Sequence, residues 1–101
     1  MNNKTEVRLG NLKKETTTFL NYLKAKFPVF HNSNLFFRDV EYGIKGYYEK
    51  KGTPVSDSEA EFLTKNFTEH LESESVFIKT SNQAWKVNYP EFVTTKPGDP
   101  F

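Results

Sequence analysis

Ser56-Asp57-Ser58-Glu59 opens an apolar stripe that leads into Val76-Phe77-Ile78-Lys79-Thr80, a short polar turn and Ala84-Trp85-Lys86-Val87-Asn88-Tyr89. This stretch decides the fold, because it is a capped helix running straight into a hairpin. Ser56 is placed to cap the helix, and Glu59 three residues on is placed to reach back, the form of a capping box. Asp57, Glu59 and Glu61 put negative charge in the first turns, where it complements the helix dipole. Ala60, Leu63, Phe67 and Leu71 recur at helical spacing and form a narrow stripe to bury, with Phe62 almost opposite it. Ser73-Glu74-Ser75 ends the helix without a glycine. Two strands follow by alternation: Val76, Ile78 and Thr80 share one face, and Trp85, Val87 and Tyr89 share a face of the partner. Ser81-Asn82-Gln83 is short enough for a hairpin loop, with Asn82 tolerant of positive φ. Pro90 limits the second strand.

Upstream of the cap, Thr53-Pro54-Val55 reads as a tight connector. The segment from Leu35 to Gly52 has two readings. Val40, Tyr42 and Ile44 alternate with polar residues as in a strand. Wrapped as a helix, however, Phe36, Phe37, Val40, Ile44, Tyr47 and Tyr48 fall on one face, and the adjacent pair Tyr47-Tyr48 breaks the strand pattern. The pattern favours helix, with Gly52 just past its end behind Lys50 and Lys51. Gly43 and Gly46 either let a neighbouring helix approach closely or only soften this one. His31-Asn32-Ser33-Asn34 is a polar connector able to cap it. A first helix runs from Asn11 with Leu12, Thr16, Phe19, Leu20, Leu23 and Phe27 on its apolar face, and Pro28 stops it near Lys26. Residues 1–10 are expected to be a flexible N-terminus and residues 94–101 a flexible tail, leaving a single domain over 11–93.

A chain of 101 residues fits one domain. Only 36% of it is apolar, but 16% is Phe, Tyr or Trp, so a compact aromatic core is within reach without disulfides. The absence of Cys excludes thiol chemistry, a disulfide framework and cysteine-based zinc sites. A formal charge of +1 gives no global bias toward nucleic acid or anionic membrane. No long apolar run signals a leader or a membrane span, so the expected location is cytoplasmic and the expected membrane partner is none.

The expected fold is α+β, a three-helix bundle with a C-terminal β-hairpin. The turn Gly52-Thr53-Pro54-Val55-Ser56-Asp57-Ser58-Glu59-Ala60, the exit from Leu71 to Phe77, and Trp85-Lys86-Val87-Asn88 resemble the winged-helix branch of the helix-turn-helix superfamily. The resemblance spans roughly residues 11 to 89 and is one of fold. One departure is the lack of a clear strand between the first two helices, for which Val29-Phe30 is the sole candidate. The resemblance implies DNA binding through the third helix in the major groove. The local charges oppose it: Asp57, Glu59, Glu61, Glu69, Glu72 and Glu74 face Lys65, and such a helix repels phosphates. Lys79 and Lys86 behind the wing tip are a thin basic contribution. The basic side lies elsewhere, at Lys4, Arg8, Lys13, Lys14, Lys24 and Lys26 against Glu6 and Glu15. This split reads as a pair of solvated faces by default, or as docking surfaces for a charged partner or for head-to-tail self-association.

No constellation carries chemistry. His31 and His70 lack the companions a metal site or a general-base site needs, so both read as ordinary surface groups. No Ser or Thr sits in a nucleophile elbow, and no glycine group forms a phosphate loop. No catalytic residue, cofactor or metal is assigned. The aromatic excess is the remaining lead: Leu35 and Tyr42 fall off the main face of the second helix and Phe62 off that of the third. They either cover one another or form an exposed patch of the kind enriched at interfaces. The sequence therefore reads as a small non-catalytic module acting through protein contacts, on a partner or as a homodimer. Its contact candidates are Tyr42, Phe62, Glu69 and Trp85. The alternatives are a DNA-binding transcriptional regulator using the basic first helix and hairpin lysines, and an accessory subunit of an enzyme complex.

Overall fold

The computed structural model describes residues 3–27 and 29–90, which form an α+β arrangement of four helices and three strands: α1 (Asn3–Lys14), α2 (Thr16–Lys26), β1 (Asn34–Phe36), α3 (Phe37–Lys50), α4 (Asp57–Ser73), β2 (Phe77–Ser81) and β3 (Ala84–Val87). The tail at 94–101 lies outside the described residues.

At the start of α4, Ser56 Oγ accepts the Glu59 N–H at 3.1 Å, as its position predicts. The reciprocal half of the capping box does not form. Glu59 Oε2 accepts instead from Arg8 Nη1 at 2.6 Å and Thr5 Oγ1 at 2.8 Å. A charge-assisted bond to a guanidinium outcompetes a neutral backbone donor, and the exchange ties α1 to the first turn of α4. Ala60, Leu63, Phe67 and Leu71 are buried as the stripe requires. Thr64 and Thr68 are buried beside them, their hydroxyls donating to the carbonyls of Ala60 and Thr64.

The helix ends in a Schellman turn without glycine. Val76 N–H donates to Leu71 O and Ser75 N–H to Glu72 O, with Ser75 in the left-handed region at φ 60°. A residue with a Cβ is strained there. Ser75→Gly is therefore expected to stabilise the domain by about 0.5–1 kcal/mol, read as a melting point raised by about 2–8 °C. The corresponding position after α3 is Gly52, at φ 82°.

The first helix ends at Lys26 as expected but differs from its expected form at its start and in its middle. Of residues 1–10, expected to be flexible, 3–10 are helical, and Thr5, Arg8, Leu9 and Leu12 are buried at helical spacing. Two of those four are polar, so apolar periodicity does not reveal them. The three-helix expectation then becomes four, because the path bends at Glu15. There Thr16 Oγ1 bonds back to the carbonyls of Leu12 and Lys13, a contact that bends helices. Backbone bonds continue across the bend, from Glu15 N–H to Asn11 O and from Phe19 N–H to Glu15 O.

Leu35 to Gly52 resolves into strand and then helix. Asn34-Leu35-Phe36 pairs antiparallel with β3, and α3 begins at Phe37. Hence the strand before α3 is β1 and not Val29-Phe30, and the cap is Phe36, whose N–H donates to Asp39 Oδ2 at 3.1 Å. The sheet order is β1-β3-β2. Leu35 opposes Trp85 and Phe77 opposes Val87, all four buried, so β2 turns Phe77 inward and Ile78 outward. The inward-facing aromatic buries more area than the isoleucine would. Ile78 opposite Lys86, together with Phe36, stands on the open side of the sheet.

The core is aromatic where the helices meet. The Phe19 ring sits edge-on to Tyr47 and Phe67, at centroid separations of 5.3 and 5.5 Å. Gly43 is where α2 and α3 touch: a Cβ there would lie 2.3 Å from Leu23 Cδ1. Close approach is thus the role of this glycine. No helix among the described residues is long and apolar enough to cross a membrane.

Candidate functional site

The four contact candidates do not form one site. Trp85 is 3% exposed and faces the core, with its Nε1 donating to Glu72 Oε2 at 2.7 Å. Its ring packs against Phe77 and Phe37, at centroid separations of 5.7 and 6.4 Å, so it is a core residue. Phe62 is half-buried and packs against the core. Glu69 is exposed on α4, and Tyr42 is 60% exposed on α3. Leu35, expected beside Tyr42 on the helix, is buried in β1 instead.

Tyr42 and α4 nevertheless share a surface. Tyr42 stands one turn before Lys45, whose ammonium bonds Asp57 at the start of α4. Glu61 follows Asp57 by one turn, and Lys65 and Glu69 continue along that face, all exposed. The outer side of α4 is therefore acidic, with Tyr42 at its edge. Lys45 is held above its ordinary ammonium value by its bond to Asp57, whose own carboxyl is held low by the same contact.

A second surface, opposite in sign, lies between α2 and α3. It is an open cleft of about 730 Å³. Thr18, Asn21, Tyr22 and Ala25 line it from α2, and Tyr47, Lys50 and Lys51 from the far side, with Glu15 at one end. Gly46 makes it possible: a Cβ there would lie 2.5 Å from the Tyr22 hydroxyl. The Tyr22 ring therefore lies against the α3 backbone, 5.4 Å from Tyr47. Lys26 Nζ and Lys50 Nζ stand 5.5 and 5.9 Å from the centroid of that ring. Among the described residues, neither ammonium has a carboxylate at ion-pair distance.

The Glu15 end is different. Glu15 Oε1 accepts from Lys51 Nζ at 2.9 Å and from the Tyr47 hydroxyl at 2.7 Å. The Lys51 bond first, then the Tyr47 bond, holds the Glu15 carboxyl below its ordinary value. Burial, helped by Glu15, pushes the Tyr47 hydroxyl well up, so it stays a proton donor.

The histidines serve the fold. His31 Nδ1 accepts the Tyr89 N–H at 3.1 Å, and the His70 ring stacks on Phe67 at 6.5 Å. Among the described residues no group of three or more His, Cys, Asp or Glu is placed to hold a metal. Sequence reasoning missed Tyr22 and the pairing of Lys26 with Lys50. The available signal was Gly46, a small residue on a helix otherwise rich in large ones. In comparisons with protein-family models, curated proteins and solved structures, nothing matches this chain.

Proposed function

We propose that this chain is a winged-helix-like, non-catalytic module that acts through protein contacts and does not read DNA with α4. The strand β1 ahead of α3, the short turn from α3 to α4 and the hairpin after α4 support the winged-helix likeness. The observation that carries the functional reading is the outer side of α4, where Asp57, Glu61 and Glu69 are exposed and Lys65 is the exposed cation among them. In the position of a recognition helix, that charge opposes the counterion release on which DNA affinity depends. The same surface suits a basic protein partner, with the exposed Tyr42 as an aromatic anchor of the kind enriched at interfaces.

A photo-crosslinking amino acid at position 42, in the full chain inside its native cell, tests this. The expected result is a discrete protein adduct that fades in Glu61→Lys/Glu69→Lys. A nuclease-sensitive adduct, or none at all, overturns the reading.

A further inference from the structure

We infer that the cleft between α2 and α3 receives an acidic peptide segment of a partner protein, its carboxylates meeting Lys26 and Lys50 and an apolar side chain resting on the open part of Tyr22. The inference rests on the protein-contact reading and assigns it a second surface.

Three observations carry it. The first is charge held without a counter-charge. Two ammonium groups converge on one aromatic ring, from different helices, with no described carboxylate at ion-pair distance. Each is attracted to the ring, and an incoming carboxylate gives either ammonium a charge-assisted partner. The second is the internal precedent at the other end. Glu15 already shows how the cleft takes a carboxylate, with an ammonium from Lys51 and a phenol from Tyr47 donating to one oxygen. Lys50 in the lining and Lys26 beside Tyr22 supply the same two ingredients, ammonium and aromatic ring, with no carboxylate at ion-pair distance among the described residues. The third is shape. A pocket for a small molecule encloses most of its ligand, whereas this cleft is open along one side. An extended chain laid across it fits better than a small ligand sealed within it. Nucleic acid fits less well, because Glu15 lies in the cleft and two lysines neutralise few phosphates.

The floor is preformed. Gly46 lets Tyr22 lie against α3, so the ring that seats the apolar side chain needs no rearrangement. Preorganisation of this kind lowers the cost of binding.

The test is a display selection of random peptides of about twelve residues on the immobilised full chain. The recovered peptides are expected to carry two or more Asp or Glu flanking an aromatic or aliphatic residue. A synthetic copy of the leading peptide should bind at least about tenfold more weakly to Lys26→Glu/Lys50→Glu. Its Glu-to-Gln counterpart should lose a similar factor on the unmodified chain. Both lysine side chains lie on the surface, so the variant's unchanged melting point serves as the folding control. Amide shifts on titration should centre on Tyr22, Ala25, Tyr47 and Lys50. Recovery of neutral or basic peptides, no difference between chain and variant, or shifts centred on α4 or the open sheet face would overturn the inference. So would a duplex oligonucleotide that displaces the peptide at equal concentration, or a second copy of the chain that occupies the cleft. Failure here with the adduct at position 42 intact removes the cleft and leaves the protein-contact reading standing.

Discussion

Phe67→Ala is expected to cost about 3–5 kcal/mol. Phe67 is fully buried on α4, and its ring is the edge-on neighbour of Phe19, which in turn meets Tyr47. The Phe19 ring on α2 therefore links α3 to α4, and Phe67 is its partner on α4. Truncation removes the transfer energy of the ring and leaves a cavity between three helices, where neighbours anchored on separate elements collapse poorly. A domain of this size holds about 5–15 kcal/mol in total, so the variant is left marginal. Urea unfolding should show the midpoint falling sharply with little change in slope, which identifies lost stability and not a changed unfolded state.

Glu59→Ala is expected to cost about 3 kcal/mol. Its carboxylate and the Arg8 guanidinium are 15% and 10% exposed, and 2.6 Å apart. Arg8 also donates to Thr53 O at 3.3 Å and stands 5.5 Å from the Tyr48 ring centroid, while Tyr48 donates its hydroxyl to Arg8 O at 3.1 Å. Burial pushes that hydroxyl up to about 12. Removing the carboxylate leaves a desolvated cation facing Tyr48, and that uncompensated charge is most of the cost. The double variant Arg8→Met/Glu59→Leu should lose much less than the single one, since neither charge then remains.

The pH dependence follows from the same contact. Burial works to raise the Glu59 carboxyl, but bonds from Thr5 and Arg8, with the Arg8 charge, outweigh it and hold the group below 4.5. A carboxyl whose folded value is depressed stabilises the fold fully above its unfolded value and loses that contribution as pH falls through the folded one. The stability gap between the unmodified chain and Glu59→Ala should therefore be complete at neutral pH and shrink below pH 4.5. Chemical denaturation at a series of pH values reads it directly.

Legibility in the sequence tracks how local each feature is. The cap at Ser56, the stripe through Leu71 and the glycine at 52 depend on neighbours in the chain, and each forms where its residues place it; the hairpin also forms, but its first strand runs Phe77–Ser81 where Val76 to Thr80 was expected. The start of α1 was hidden because the residues it buries include Thr5 and Arg8, whose burial depends on Glu59 far along the chain. Two of the three residues of β1 were absorbed into the helical pattern of α3, because Leu35 and Phe36 fit either reading until β3 is there to pair with them. Of the surfaces, the acidic side of α4 was legible as a run of charges. The cleft was only half legible: Gly43 and Gly46 left close approach as one of two readings, and the approach of Lys26 and Lys50 to Tyr22 depends on how α2 crosses α3.

The acidic side of α4 makes a direct measurement decisive. Fluorescence anisotropy of a labelled random-sequence duplex should be followed with the full chain at about 20 mM salt, where phosphate-driven binding is strongest. The protein-contact reading predicts a flat titration for the unmodified chain to about 100 µM, with binding appearing in Glu61→Lys/Glu69→Lys as repulsion is removed. Tight binding by the unmodified chain, falling steeply with salt and weakened by substitutions on α4, would contradict it.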